Sequence, residues 1–338
     1  MNAFDTLPRF DNLKELPPLS YLIEDLITEG TVTFVAGLPG AGKSLLAQSF
    51  AVSVVSGQPW FGREATKGPV LYVTTDASAR QTYERFRAWE AASLTQLPHP
   101  SLRYLERLDV TSKQDQATLK EIAKCGVRLL VIDVLASSIG GMNLMEQAQV
   151  MQLHLLFREL ISLSEGKLSI VVLAHSPKAS KGAQVSVSGS VQLEAMADLV
   201  LVMSKGATGS KLSVRKNRNG PEGAEISFTI ESQEIEAGLE SAILRAKELA
   251  TDSESERRGH EALTENWESN AEWRRRAGLP ETTSRRVRLA LVTSGLLEQK
   301  TEGRSLLVRC SPASPNPRHS TNGEPGLARH LNPSLRGV

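Results

Sequence analysis

A handful of side chains along the first two thirds of the chain could do chemistry together. Gly37, Gly42, Lys43 and Ser44 stand in the spacing G-x-x-x-x-G-K-[ST], within the run GLPGAGKSL. Glycines let a backbone curl around a phosphate without Cβ clashes. The predicted phosphate-binding set is therefore Gly37, Leu38, Pro39, Gly40, Ala41, Gly42, Lys43, Ser44 and Leu45. A helix starting near Lys43 adds its positive N-terminal end. Lys43 would reach the β- and γ-phosphates and the Ser44 hydroxyl would ligate Mg²⁺, so ATP and Mg²⁺ are the predicted cofactors. Asp133 closes the apolar run VRLLVI and would hold Mg²⁺ through water, opposite Ser44. Asp76 closes VLYVTT, where a carboxylate can orient or deprotonate an attacking water. The plain alternative for both acids is capping of a following helix. His175 closes LSIVVLA and could touch a γ-phosphate, or be a satisfied structural histidine. Lys216 and Arg218, in KNRNG, face one side. They could act as an arginine finger and its companion on a neighbour's nucleotide, or be a solvated basic hairpin.

These groups need a rigid frame. Apolar strands are predicted at Val32–Ala36, Val70–Thr75, Val127–Ile132 and Leu168–Ala174, then at Ala197–Met203, Lys211–Arg215 and Ile226–Ile230. Between them lie an amphipathic helix over Leu45–Val55 and helices over Ala79–Ala92, Gln114–Lys124 and Met145–Leu163. Alternating strands and helices, with strands apolar throughout, predict an α/β fold whose mostly parallel sheet is covered by helices on both faces. Asp76, Asp133 and His175 then all fall at strand carboxyl ends, where such sheets bind ligands.

The predicted organisation is a lead-in over 1–30, a core over 31–232, a helix (Glu236–Ala250) and polar linker (Thr251–Arg258) over 233–258, a small domain over 259–310, and a disordered tail over 311–338. In the small domain, a helix over Ala271–Ala277 stops at Gly278. A second, over Thr282–Ser294, is capped by Thr282 or Thr283, and a hairpin follows. That order predicts a winged helix-turn-helix. Val287, Leu291 and Leu296–Leu297 would form its core, leaving Arg274–Arg276, Arg285, Arg286 and Arg288 outward to contact nucleic-acid phosphates. Protein docking or subunit contact is the alternative use of the same face.

A formal net charge of +1 over 338 residues supplies no global attraction to nucleic acid, so such contact must be local. Two cysteines, Cys125 and Cys310, fit a reducing cytosol better than a disulfide framework. The polar start MNAFDTLPRF lacks an export core, and no apolar run reaches membrane-spanning length. The expected location is cytoplasmic, with no membrane partner.

Several stretches, in order, resemble the RecA-fold hexameric ATPases, above all the plasmid RepA-type replicative helicases. They are GLPGAGKS, VLYVTTD, LLVID, VVLAHSPK, GSVQLEAMADLVLVM and KNRNGPEG, and the similarity covers about residues 18–232. The resemblance implies a RecA-like P-loop core. It makes Asp76 the catalytic acid, His175 the γ-phosphate sensor, and Lys216 and Arg218 trans-acting residues. It sets Arg85, nine residues past Asp76, against the adenine. It also makes Ser176–Ser188 a channel loop carrying Lys178 and Lys181 on single-stranded DNA or RNA. The implied protein is a homo-oligomer, as a hexamer, that hydrolyses ATP and acts as a DNA helicase in replication of a mobile element. There are departures: the family has Glu where Asp76 stands, often a second His at Ala174, and Pro at Val134. Two other functions share the same core, a recombination ATPase or mediator and a nucleotide-gated regulator whose winged helix binds duplex DNA or a protein.

Overall fold

The computed structural model describes residues 19–93, 96–97, 99–175, 191–206, 209–246, 253–293, 296–302 and 305–311. The chain divides into two compact units, Met1–Lys247 and Glu248–Val338.

The first unit opens with an antiparallel pair, β1 (Tyr21–Ile23) and β2 (Ile27–Thr28), then β3 (Val32–Gly37) and α1 (Lys43–Ser56). Next come β4 (Val70–Thr74), α2 (Ala79–Ser93), β5 (Leu102–Leu105), α3 (Lys113–Lys124), β6 (Leu129–Asp133), α4 (Gln147–Leu163) and β7 (Ser169–His175). The unit ends with α5 (Val191–Met196), β8 (Leu199–Gly206), β9 (Gly209–Asn217), β10 (Glu225–Glu236) and β11 (Leu239–Ala246). Nine strands make one sheet, ordered β11-β10-β9-β8-β3-β7-β6-β4-β5. From β5 to β8 neighbours run parallel; from β8 to β11 they run antiparallel. Because strand side chains alternate between faces, Val35, Tyr72, Val131 and Leu173 join one apolar cluster with α1 and with Phe86 and Trp89 of α2. Phe34, Val73, Ile132 and Val172 join the other, with Leu153, Phe157 and Leu160 of α4. This is the doubly covered, mostly parallel sheet that the continuous apolar strands predict.

Two local expectations are corrected. Of the predicted helix Glu236–Ala250, the described part, 236–246, rich in helix-favouring Ala, Leu and Glu, is strand: β10 runs on to Glu236 and β11 returns from Leu239 after a turn at Gly238, whose φ is 80°. Register pairing from Phe228 with Ala246 to Glu236 with Leu239 overrides local propensity. The ribbon also buries Ile243 and Leu244 in the cluster that holds α1. In consequence α1 is not amphipathic but buried almost all round, with Lys43, Leu45–Ser53, Val54 and Val55 all covered. Trp60 packs beside it, 1% exposed, donating from Nε1 to Ser49 Oγ at 2.8 Å and meeting the rings of Phe50, Phe61 and Phe228.

The second unit runs α6 (Ser253–Glu261), β12 (Glu268–Ser269), α7 (Asn270–Ala277), α8 (Glu281–Thr293), β13 (Leu297–Glu302) and β14 (Ser305–Cys310), its strands ordered β12-β14-β13. The predicted linker is thus mostly helix: α6 carries Glu254 and Glu256 in its first turn and Arg258 and His260 in its last, signs that complement the helix dipole. A capping box joins Ser269 to Glu272 at the start of α7, and Gly278 ends it in the left-handed conformation. Thr282 and Thr283 lie inside α8, which starts at Glu281, so neither precedes it as a cap. The core gathers Leu263, Trp273, Val287, Leu291, Leu297 and Val308. Gly259 is required by close approach, since a Cβ there would lie 2.3 Å from Val287 Cγ1.

Candidate functional site

The sheet order brings the chemistry-bearing strand ends together. β7 lies between β3 and β6, and β4 flanks β6, so the P-loop, His175, Asp133 and Asp76 follow one another along the carboxyl edge. Gly37 ends β3 opposite His175 and against β8, where a Cβ would lie 2.4 Å from the Met203 carbonyl oxygen. Gly42 is the N-cap of α1, with φ 93° and no side-chain cap, and no acidic residue stands in the first turn of the helix. The orphan N–H groups of that end are thus left for an anion.

Lys43 is 6% exposed and donates from Nζ to the carbonyls of Gly37 at 2.9 Å and Leu38 at 3.1 Å. Burial lowers its pKa below the usual lysine value, while the charge of Asp133 acts in the opposite sense. Ser44 donates from Oγ to Asp133 Oδ1 at 3.1 Å, and Tyr72, fully buried on β4, donates from its hydroxyl to Asp133 Oδ2 at 2.7 Å. Burial raises the pKa of Asp133; the bonds from Tyr72 and Ser44 and the charge of Arg85 oppose that, and Asp76 adds to it. The pKa of Tyr72 is raised by burial and by Asp133, which keeps the phenol protonated as a donor.

A buried carboxylate touching a hydroxyl, both beside the P-loop, is an oxygen donor set that fits Mg²⁺, which takes few protein ligands and completes its shell with water and phosphate. No cluster of three or more His, Cys, Asp or Glu suited to a metal occurs among the described residues.

Asp76 is exposed and accepts from Ser137 Oγ at 2.8 Å, in the short turn after β6. Thr75 donates its N–H to the Asp133 carbonyl at 2.9 Å, tying the ends of β4 and β6. His175 is half-buried, its Nδ1 buried without a partner among the described residues. Arg85, on α2, acts electrostatically on both Asp133 and Tyr72, so its charge bears on the metal side of the site.

Lys216 and Arg218 stand apart from this group. Lys216 donates from Nζ to the carbonyls of Glu194 at 2.7 Å, Ala195 at 3.3 Å and Ala197 at 2.7 Å, closing the C-terminal end of α5. Arg218 donates to the Ala195 carbonyl at 2.8 Å and to Asp198 Oδ1 at 3.2 Å. Both cations are therefore engaged within their own chain.

Lys178 and Lys181 lie outside the described residues, as does the side chain of Arg286. Arg285 is half-buried. Arg288 is corrected: it is 5% exposed and donates to Gln299 Oε1 at 3.2 Å, so it belongs to the interior of its unit rather than to a phosphate-contacting face. Arg274 and Arg276 pair with Glu281 and Glu268. The outward arginine face is accordingly smaller than the sequence suggests, because α8 turns Arg288 toward β13.

Sequence reasoning missed Tyr72 and Ser137. Tyr72 had a signal, a hydroxyl in the middle of an apolar strand that must find a buried partner. Ser137 had none, since only folding brings it to Asp76.

Fold and site together define a P-loop nucleotide-binding protein whose α/β sheet is consistent with a RecA-like fold. The sequence model of the AAA domain family matches residues 2–181, more than half of the 338-residue chain. The chain belongs to this family, which makes it an AAA-type, nucleotide-hydrolysing ATPase, with nucleotide typically bound together with Mg²⁺. Comparison with curated proteins finds no match. No helix among the described residues is long and apolar enough to cross a membrane.

Proposed function

We propose that the protein is a ring-forming ATPase that binds ATP·Mg²⁺ and acts on single-stranded nucleic acid, as a RepA-like DNA helicase serving replication of a plasmid, phage or other mobile element. The observation that carries this reading is the alignment of Lys43, His175, Asp133 and Asp76 along one sheet edge, in the strand order β3, β7, β6, β4. Phosphates bind at the open N-terminus of α1, and Lys43 exchanges the Gly37 and Leu38 carbonyls for phosphate oxygens. Ser44 and Asp133 would hold Mg²⁺, which neutralises charge on the phosphates when bound. Asp76 orients the attacking water and accepts its proton; Ser137 fixes its carboxylate meanwhile. His175, next to the P-loop strand, senses the γ-phosphate and relays its loss to the segment carrying Lys178 and Lys181, which contacts the strand. Arg85 contributes positive charge beside the nucleotide.

Lys216 and Arg218 complete a neighbour's site in a homo-oligomer, as a hexamer. To do so they must leave the end of α5, which couples subunit contact to the segment before that helix. In the second unit, the order α6, β12, α7, α8, β13, β14 supports a winged-helix reading. The pairing of its arginines with Glu268, Glu281 and Gln299 favours a protein partner there over duplex DNA. The test is ATP hydrolysis with and without single-stranded DNA, together with mass by light scattering. Stimulation by single strands and a nucleotide-dependent oligomer are expected. A monomer whose turnover ignores polynucleotide would overturn the reading.

A further inference from the structure

We infer that Tyr72 is a positioning residue for the metal-binding carboxylate, holding Asp133 in the plane that presents it, with Ser44, to the divalent cation. This deepens the ATP·Mg²⁺ reading above and rests on it. The ring alone does not explain a tyrosine on β4. It packs edge-on against Phe86, centroids 5.5 Å apart, and phenylalanine would fill the same space. The hydroxyl is what phenylalanine would lack, and burying it is unfavourable unless it is bonded. Its short bond goes to Asp133 Oδ2 at 2.7 Å, with the Ser44 carbonyl oxygen farther off at 3.4 Å, while Ser44 donates to Oδ1 at 3.1 Å.

The two carboxylate oxygens are thus held by donors from two elements, β4 and α1. Each fixes one oxygen, and together they remove rotation about the carboxylate's last bond. Both donors are neutral. An arginine or lysine in the place of Tyr72 would also orient Asp133, but it would neutralise the charge the cation needs. A phenol orients without competing. Gln48, 1% exposed on α1, also acts on the Tyr72 hydroxyl, in the sense that favours its ionised form. Tyr72, Asp133 and Ser44 are thus mutually linked, and Ser44 stands in the first turn of α1, so the helix that receives the phosphates also sets the carboxylate. Hydrogen-bonding partners behind metal ligands are commonly worth about 10–100-fold in metal affinity.

The experiment measures Mn²⁺ binding to the full-length protein saturated with ADP, read from the free-ion electron paramagnetic resonance signal, with ADP affinity in chelator and melting temperature measured in parallel. For Tyr72→Phe, the expected result is a rise in the Mn²⁺ dissociation constant of about 10-fold or more, with metal-free ADP affinity within twofold of wild type. Mn²⁺ affinity within twofold of wild type, in a variant that still binds ADP, overturns the inference. If wild type itself takes up no Mn²⁺ with ADP, the ATP·Mg²⁺ reading fails and the inference with it. Should Tyr72→Phe melt early, Gln48→Met is measured the same way. It leaves the phenol in place but without Gln48 acting on it, so a smaller loss of Mn²⁺ affinity is expected, and no loss overturns the inference.

Discussion

Replacing Lys43 with alanine gives the most direct measure of the phosphate site. In the free protein the amine is not idle: it holds the carbonyls of Gly37 and Leu38 at 2.9 and 3.1 Å. Nucleotide binding exchanges these neutral acceptors for charged phosphate oxygens, so affinity gains only the difference between the two sets. The ammonium's bonds to the two carbonyls are already charge-assisted, so what phosphate adds is the attraction between two charges, about 1 kcal/mol at 4 Å in water and about 4 kcal/mol near a protein surface. That attraction amounts to about 1–4 kcal/mol, or roughly a 5- to 900-fold loss of affinity in Lys43→Ala. Burial lowers the lysine pKa, and the negative charge of a triphosphate opposes that lowering, in the same sense as the exchange. The assay is titration of a fluorescent ATP analogue against wild type and variant in chelator, where Mg²⁺ cannot mask the difference, with melting curves to show that the variant is folded. A dissociation constant within threefold of wild type, in a normally melting protein, would refute the argument that this amine grips the phosphates.

Three further outcomes follow from other parts of the molecule. Asp76→Asn should lower turnover by roughly 100-fold or more while leaving ATP affinity within twofold, because asparagine can still accept from Ser137 but cannot take a proton; turnover equal to wild type removes Asp76 from its role. Asp133 has a folded-state pKa above its ordinary 3.8, so between the two values the native state holds more protons than the unfolded state, and stability falls as pH rises through that window. Asp133→Asn should therefore be more stable than wild type at neutral pH in chelator, with the advantage shrinking as pH falls toward 4, and should lose Mg²⁺ binding; denaturant melts across pH check it. Arg288→Ala should destabilise the second unit by about 1–3 kcal/mol by leaving Gln299 unpaired, and should not change affinity for duplex DNA, as tryptophan-monitored unfolding and a gel-shift titration would show.

The parts of the fold that depend on local pattern are legible in the sequence. The strands through Phe34, Tyr72, Val131 and Val172 are apolar on both faces because both faces are covered, and their ends carry the residues that could do chemistry. The glycine spacing before Lys43 announced a phosphate loop because few other structures need those glycines there. What stayed hidden depends on partners far apart in sequence. The start of β10 is legible at Ile226–Ile230, but its extension to Glu236 and the return strand β11 are not, because Ala, Leu and Glu favour a helix in isolation and only pairing along the ribbon and cover over α1 decide otherwise. Arg288 looked like its neighbours Arg285 and Arg286 until the direction in which α8 faces β13 was known. Lys216 and Arg218 could be placed near a turn, but nothing in their spacing announced the carbonyls at the end of α5.

The ribbon also sets where the ATPase half can be separated from the rest. A chain stopped at residue 232, where the sequence changes character, would lose β11 and with it Ile243 and Leu244, uncovering one flank of the helix that receives the phosphates. Trimming experiments should therefore keep everything through Ala246, because inactivity in a shorter fragment would report a stripped core rather than a missing regulatory module.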